Sequence, residues 1–232
     1  MKSRLFFPLL LAVLAGCASP SAPEWALQAE TAAQRASMAY LQGRPRVPEL
    51  EWSKARAEVA RTGRPDLVAR LELMRCAAQL AALAWDGCPL YQPLAQDAAA
   101  AEAAYARYLA GRPQAEDWAL LPPAQQGLAK VLLLEKSATP EAALSAVQAV
   151  EHPWPRLVAA GAALQAGLAE EGLLALAVAT ASDQGWSRPL LAWLLLQEKA
   201  AQAAGDTPRQ EAVRRRIELV APVGRSLDTL KK

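Results

Sequence analysis

Histidine is almost absent from this sequence, because His152 is the only one among 232 residues. A single histidine excludes a histidine-rich metal site, and the three cysteines supply no second ligand pair beside it. The Gly-x-Ser-x-Gly, Gly-Lys-Ser/Thr and His-Glu-x-x-His motifs are also missing, which removes the signatures of α/β-hydrolases, P-loop proteins and zincins. We therefore expect no catalytic residue, no metal ion and no cofactor, and we interpret His152 as a capping or packing residue at a helix end.

Segments typical of β-strands are missing as well. From Glu24 onward alanine and leucine dominate, and both are strong helix formers, whereas no stretch alternates β-branched and polar residues. The apolar run Leu190–Leu196 is much shorter than the ~20 residues of a membrane-spanning helix, so we interpret it as part of a buried helix. The sequence therefore predicts an all-α fold.

The N-terminus combines a positive start, an apolar stretch and a cysteine. Lys2 and Arg4 precede the apolar segment Leu5–Ala15, which has the length of a signal-peptide core. The run Leu14-Ala15-Gly16-Cys17 then resembles the lipobox of bacterial lipoproteins.

The lipoprotein resemblance implies where the chain is attached. Residues 1–16 would be removed as a signal peptide, Cys17 would be lipidated, and residues 17–23 would tether the fold to the membrane. Ala18 stands where inner-membrane lipoproteins often have aspartate, so the resemblance implies an outer-membrane, periplasm-facing protein if the cell is Gram-negative.

The charge of the chain gives no reason to expect a nucleic-acid partner. Lysine and arginine total 25 against 23 acidic residues, and loss of Lys2 and Arg4 with the signal peptide would balance the two. The run Arg214-Arg215-Arg216 spreads around a helix and is typical of a solvated surface.

Two cysteines remain after Cys17. An exported chain with an even cysteine count favours a disulfide, here between Cys76 and Cys88. Cys76 shares a helical face with Leu73 and Leu80, and Cys88 follows the turn at Asp86-Gly87, so the bond would pin the following loop to the helix. Two free thiols are the alternative.

Proline and glycine divide the body of the chain. Residues 24–111 are predicted to form helical hairpins with helices over about 24–42, 49–62, 65–84 and 94–110. The irregular segment 112–123, which ends in Pro122-Pro123, is our candidate junction. Residues 124–232 are predicted to form further hairpins, beginning with a helix over about 124–136. Thr139-Pro140-Glu141 is a helix start signal.

Helix starts near 153, 170 and 187 suggest a repeat of about 34 residues, the period of tetratricopeptide repeats. The alanine-rich helices and the Ala204-Gly205-Asp206 turn are similar to those repeats. The resemblance implies antiparallel helical hairpins, stacked as a short solenoid or as a compact bundle.

Tryptophan and glutamate are the remaining candidates for a site. The seven tryptophans lie mostly near helix ends, where they either wedge between helices or line a groove, and Trp193 belongs to the core. Glu135, Glu170 and Glu171 lie near helix ends or beside basic residues, which favours solvated faces.

These features favour a non-enzymatic envelope lipoprotein that binds a protein partner as an adaptor or assembly factor. The alternative is a peptidoglycan-acting enzyme or its activator, although the Glu-Ser pair of lysozyme-like enzymes is missing. A carrier with an apolar cavity between its helices is a third interpretation.

Overall fold

The computed structural model describes residues 22–134 and 137–221. Within these ranges the protein is all-α and has no strand, as predicted. The α-helices are α1 Glu24–Leu41, α2 Val47–Ala60, α3 Pro65–Ala81, α4 Ala100–Leu109, α5 Pro123–Leu132, α6 Pro140–Gln148, α7 Pro153–Gln165, α8 Glu171–Asp183, α9 Ser187–Ala203 and α10 Thr207–Val220. Two 3₁₀ helices cover Gln92–Asp97 and Asp117–Leu120. Cys17 and the predicted signal peptide 1–16 lie outside the described residues.

Helix boundaries follow from proline and from side-chain caps. Proline occupies the first turn of most of these helices, where its missing N–H costs no hydrogen bond. The predicted start at Thr139 is confirmed, because its side chain accepts a hydrogen bond from the Ala142 amide at 3.2 Å. Asp206 caps α10 in the same way through the Arg209 amide at 3.1 Å.

The single helix predicted over 94–110 is wrong. The chain forms the 3₁₀ helix Gln92–Asp97, extends through Ala98 and Ala99 with ψ values of 139° and 161°, and begins α4 only at Ala100. The buried side chains of Cys88 and Tyr91 hold the start of this segment against the core. Tertiary packing therefore overrides the helix propensity of the alanine-rich run.

Helix α3 lies between two hydrophobic clusters. Val68 and Leu71 pack into a smaller cluster with α1 and α2. Leu73, Ala77 and Leu80 belong to the main cluster, which extends through α4 and α5 to α10. The main core therefore contains residues on both sides of the segment 112–123.

Polar contacts hold that segment and join distant helices. The fully buried Asp117 carboxylate accepts hydrogen bonds from Arg107 Nε at 2.8 Å and from the Gln114 amide at 2.7 Å. The buried Trp193 indole of α9 donates to the Ala81 carbonyl of α3 at 3.1 Å. These bonds fix the segment 112–123 and the end of α3 relative to the rest of the bundle.

Cys76 and Cys88 lie at bonding distance, with their Cα atoms 5.7 Å apart. This separation is within the usual range for disulfides and supports the predicted bond. In the part of the chain that the structure describes, no helix combines the length and the apolarity needed to cross a membrane.

Candidate functional site: an apolar cavity between α3, α4, α5 and α7

A half-open cavity of about 490 Å³ lies between α3, α4, α5 and α7, next to the 3₁₀ helix Asp117–Leu120. We call it the Trp154 cavity, after the indole at the start of α7 that lines it. Leu73 of α3 and Val158 of α7 form part of its apolar wall, and Leu120 lies at its edge with 43 % of its surface exposed.

Small side chains create this space. Ala77, Ala101 and Ala124 line the cavity from three different helices. At each of these three positions the side chain is only a methyl group, whereas a leucine there would fill part of the cavity. Pro122 and Pro155 also line it at the starts of α5 and α7. The cavity therefore follows from the alanine-rich composition that the sequence uses for its helices.

Gln125 and Tyr108 supply a satisfied polar network beside the cavity. The Tyr108 hydroxyl donates to the Gln125 side-chain oxygen, and the Gln125 amide donates to the Pro155 carbonyl at 3.2 Å. Burial raises the pKa of Tyr108 well above its ordinary value, and the nearby Tyr105 phenol raises it further. Burial also raises the pKa of Tyr105, so both phenols stay protonated and uncharged at neutral pH.

Two other polar atoms of the lining residues have no partner. Arg70 Nε donates to Glu102 Oε1 at 2.6 Å, but Glu102 Oε2 is buried and accepts no hydrogen bond. The Trp154 Nε1 donor is likewise buried and unpaired. Glu102 is 5 % exposed, whereas 67 % of the Arg70 side-chain surface is exposed, so the ion pair reaches from the interior to the solvent.

A separate depression of the surface contains an exposed tryptophan. Trp118, in the same 3₁₀ helix as Leu120, is 37 % exposed, and the Lys130 ammonium lies 4.2 Å from the centre of its ring. Trp118 lines this depression with Lys130 and Leu133, whereas Leu120 is the exposed apolar side chain at the edge of the Trp154 cavity itself.

Of the predicted histidine and glutamate candidates that the structure describes, none lines this cavity. His152 occupies the N-cap position of α7 but makes no capping bond with its side chain, and it is exposed. Glu170 and Glu171 are exposed as expected, and Glu171 pairs with Arg209 at 2.6 Å. Glu135 lies outside the described residues.

Other predicted features have clear positions. Arg214, Arg215 and Arg216 are all exposed, which agrees with a solvated surface. Trp193 is fully buried, as predicted for a core residue. Among the described residues no group of three or more histidine, cysteine or acidic side chains is arranged to hold a metal ion.

Glu102 was not identified from the sequence, and Trp154 was identified only as one of seven tryptophans. Glu102 is the one charged residue in the run from Ala98 to Ala104. A single carboxylate among alanines could have identified it as a candidate site residue. Its partner Arg70 is 32 positions away in the sequence, so the pairing itself had no local signal.

No family model matches this chain, no curated protein is significantly similar to it in sequence, and no solved structure is significantly similar to it.

Proposed function

We propose that this protein is a non-enzymatic adaptor or assembly factor of the cell envelope, which holds a segment of a partner protein in the Trp154 cavity. The cavity is the observation that carries the proposal, since it offers about 490 Å³ of mostly apolar space between four helices. Cavities of roughly 300–1,000 Å³ with few polar groups are typical of binding sites.

Two features support a location in the envelope. The run Leu14-Ala15-Gly16-Cys17 resembles a lipobox, which would anchor the protein to the outer membrane by lipid on Cys17. Cys76 and Cys88 lie at bonding distance, and disulfides persist mainly in oxidising compartments such as the periplasm.

A protein partner explains the edge of the cavity better than a freely diffusing small molecule does. A small ligand needs only the enclosed apolar wall, whereas Leu120, which lines the edge of the cavity, also leaves 43 % of its surface exposed to solvent. Aromatic and apolar side chains around a pocket are typical of protein interfaces, where they exclude water from a central anchor. The experiment below must therefore distinguish a protein partner from a small molecule that the protein carries.

Glu102 is the feature that favours the alternative of a glycan-acting enzyme. It is the only carboxylate among the described residues that line the cavity. Most glycosidases use two carboxyl groups about 5–10 Å apart, one as acid and one as base or nucleophile. Because one Glu102 oxygen already pairs with Arg70 and no second carboxylate of the described residues lines the cavity, binding is the function that the geometry supports best.

Site-specific photo-crosslinking in the native host tests the proposal. A benzophenone amino acid replaces Leu120 at the cavity edge, and a control replaces Leu219, which is 87 % exposed on α10 and does not line the cavity. We expect a reproducible envelope protein to crosslink from position 120 and not from position 219. Ala101→Phe, which fills the cavity, should abolish that crosslink while the protein still folds.

Four results would contradict the proposal. Equal crosslinking from both positions, or a crosslink that persists in the Ala101→Phe variant, would show that the partner does not use the cavity. Crosslinking to a small molecule alone would favour the carrier. Muropeptide release from purified sacculi that is lost in Glu102→Gln would favour the enzyme.

A further inference from the structure

The unpaired polar atoms of the residues that line the cavity indicate which chemical group the cavity binds. Among the described residues, three buried side-chain polar atoms lack a hydrogen-bond partner: Glu102 Oε2, Trp154 Nε1 and Thr180 Oγ1. Thr180 lies in α8, away from the cavity, whereas the other two belong to residues that line it. Buried polar groups without partners are rare and costly, so two of them at one cavity require an explanation.

The two atoms differ in hydrogen-bonding character. Glu102 Oε2 can only accept a hydrogen bond when the carboxyl group is ionised, and Trp154 Nε1 can only donate one. A ligand that satisfies both must therefore carry one donor and one acceptor. A peptide unit carries one N–H donor and one C=O acceptor.

The charges around the cavity favour an uncharged ligand. Arg70 already offsets the Glu102 carboxylate through the bond between Arg70 Nε and Glu102 Oε1. A cationic group would meet the Arg70 guanidinium, and an anionic group would meet the Glu102 carboxylate. The surrounding wall, which includes Leu73 and Val158, provides no further charge.

We infer that the Trp154 cavity recognises a peptide unit, and this inference rests on the proposed function. A main-chain amide of the partner segment donates to Glu102 Oε2, and a main-chain carbonyl accepts from Trp154 Nε1. An apolar side chain of the same segment fills the space left by Ala77, Ala101 and Ala124. The hydrogen bonds fix the backbone of the segment, and the apolar space selects the side chain.

Two peptide probes test this inference on the full chain in lipid nanodiscs. The first is a capped tripeptide, alanine–leucine–alanine, and the second is the same peptide methylated on every amide nitrogen, so that it keeps its carbonyls but has no donor. The indole N–H signal of Trp154 in a nitrogen-15 correlation spectrum reports binding, and its loss in Trp154→Phe assigns it. We expect the first probe to move this signal and to bind roughly tenfold more tightly than the second.

Two variants separate recognition from folding. Glu102→Met keeps the length of the side chain but removes both acceptor oxygens, and it should remove the difference in affinity between the probes. Trp154→Phe lacks the reporter signal, so its affinities are measured by isothermal titration calorimetry. It should weaken both probes by a similar factor of roughly ten, because both keep their carbonyl groups. Trp25→Phe is the matched control, since Trp25 also lies at the start of a helix but does not line the cavity, and it should leave both affinities unchanged.

The possible failures are distinguishable. If both probes bind wild type equally and Glu102→Met changes neither affinity, amide recognition is overturned, while crosslinking from position 120 still tests the adaptor function. If neither probe moves the Trp154 signal, peptide recognition is overturned. If the position-120 crosslink also fails, the proposed function fails with it.

Discussion

Gly161 of α7 lies directly against Leu80 of α3, at the place where these two helices cross. A Cβ atom at position 161 would lie 2.7 Å from Leu80 Cγ and 2.8 Å from the Leu80 carbonyl oxygen. Such distances are too short for any side chain, so glycine sets how closely α3 and α7 approach. Ala77 and Val158, one helical turn away on the same two helices, line the Trp154 cavity.

We expect Gly161→Ala to destabilise the fold. The added methyl group must push α3 and α7 apart, and overpacking of this kind costs about 1–3 kcal/mol. Gly127 is the matched control, because it also lies inside a helix but has nothing within 4 Å of an added Cβ atom. Gly127→Ala should stabilise the protein by roughly 0.5–1 kcal/mol. Urea denaturation followed by circular dichroism measures both, and a similar effect at the two positions would contradict the helix-crossing argument.

Changing tryptophan to phenylalanine should distinguish an indole that stabilises the fold from an indole that is available to bind a ligand. Trp193→Phe loses the hydrogen bond to the Ala81 carbonyl and should lower the free energy of unfolding by about 1–2 kcal/mol. Trp154→Phe removes a donor that has no partner, so it should cost less than about 1 kcal/mol. Equal losses of stability in the two variants would mean that the Trp154 donor has a partner in solution.

The fold class and the helix ends could be predicted because the signals are local. Thr139 caps the next turn, and proline and glycine act within one or two residues of themselves. The break at Ala98 and Ala99 could not be predicted in this way. Alanine favours a helix in isolation, whereas the buried side chains of Cys88 and Tyr91 hold the preceding segment against the core.

The cavity depends on residues that are distant in the sequence. Glu102 pairs with Arg70 of α3 and lines the same cavity as Trp154 of α7, and no spacing rule links the three residues. The predictions of lipidation at Cys17, of tetratricopeptide similarity and of an outer-membrane location stay predictions, since the described residues carry no observation of them.

Asp117 should make stability depend on pH. Its hydrogen bonds with the Arg107 side chain lower its pKa below the ordinary value, and the bond from the Gln114 amide lowers it further. Because the pKa is lower in the folded state, the stabilisation is present above the unfolded value of about 3.9 and is lost as the pH falls through the folded value. Asp117→Asn should therefore cost about 2 kcal/mol at pH 7 and progressively less below about pH 4.

Asp66 provides a control for the pH experiment. It pairs with Arg64 at 2.6 Å, and this side-chain hydrogen bond lowers its pKa as well, but the pair lies at the surface. Water screens such pairs, so Asp66→Asn should have a much smaller effect on urea denaturation across the same pH range. A loss that stays constant from pH 7 to pH 3 in Asp117→Asn would contradict the assignment.

The bond between Cys76 and Cys88 should stabilise the fold by lowering the conformational entropy of the unfolded chain. The cysteines are 12 positions apart, and closing a loop of this length stabilises the fold by roughly 3 kcal/mol on the loop-entropy estimate. Reductant should therefore lower the urea midpoint of wild type. It should leave the double variant Cys76→Ala/Cys88→Ala unchanged, because that variant has no bond to lose. Alkylation in denaturant without reductant, read by peptide mass spectrometry, checks the bond directly. Modification of both cysteines would show two free thiols and would also remove one of the two supports for an envelope location.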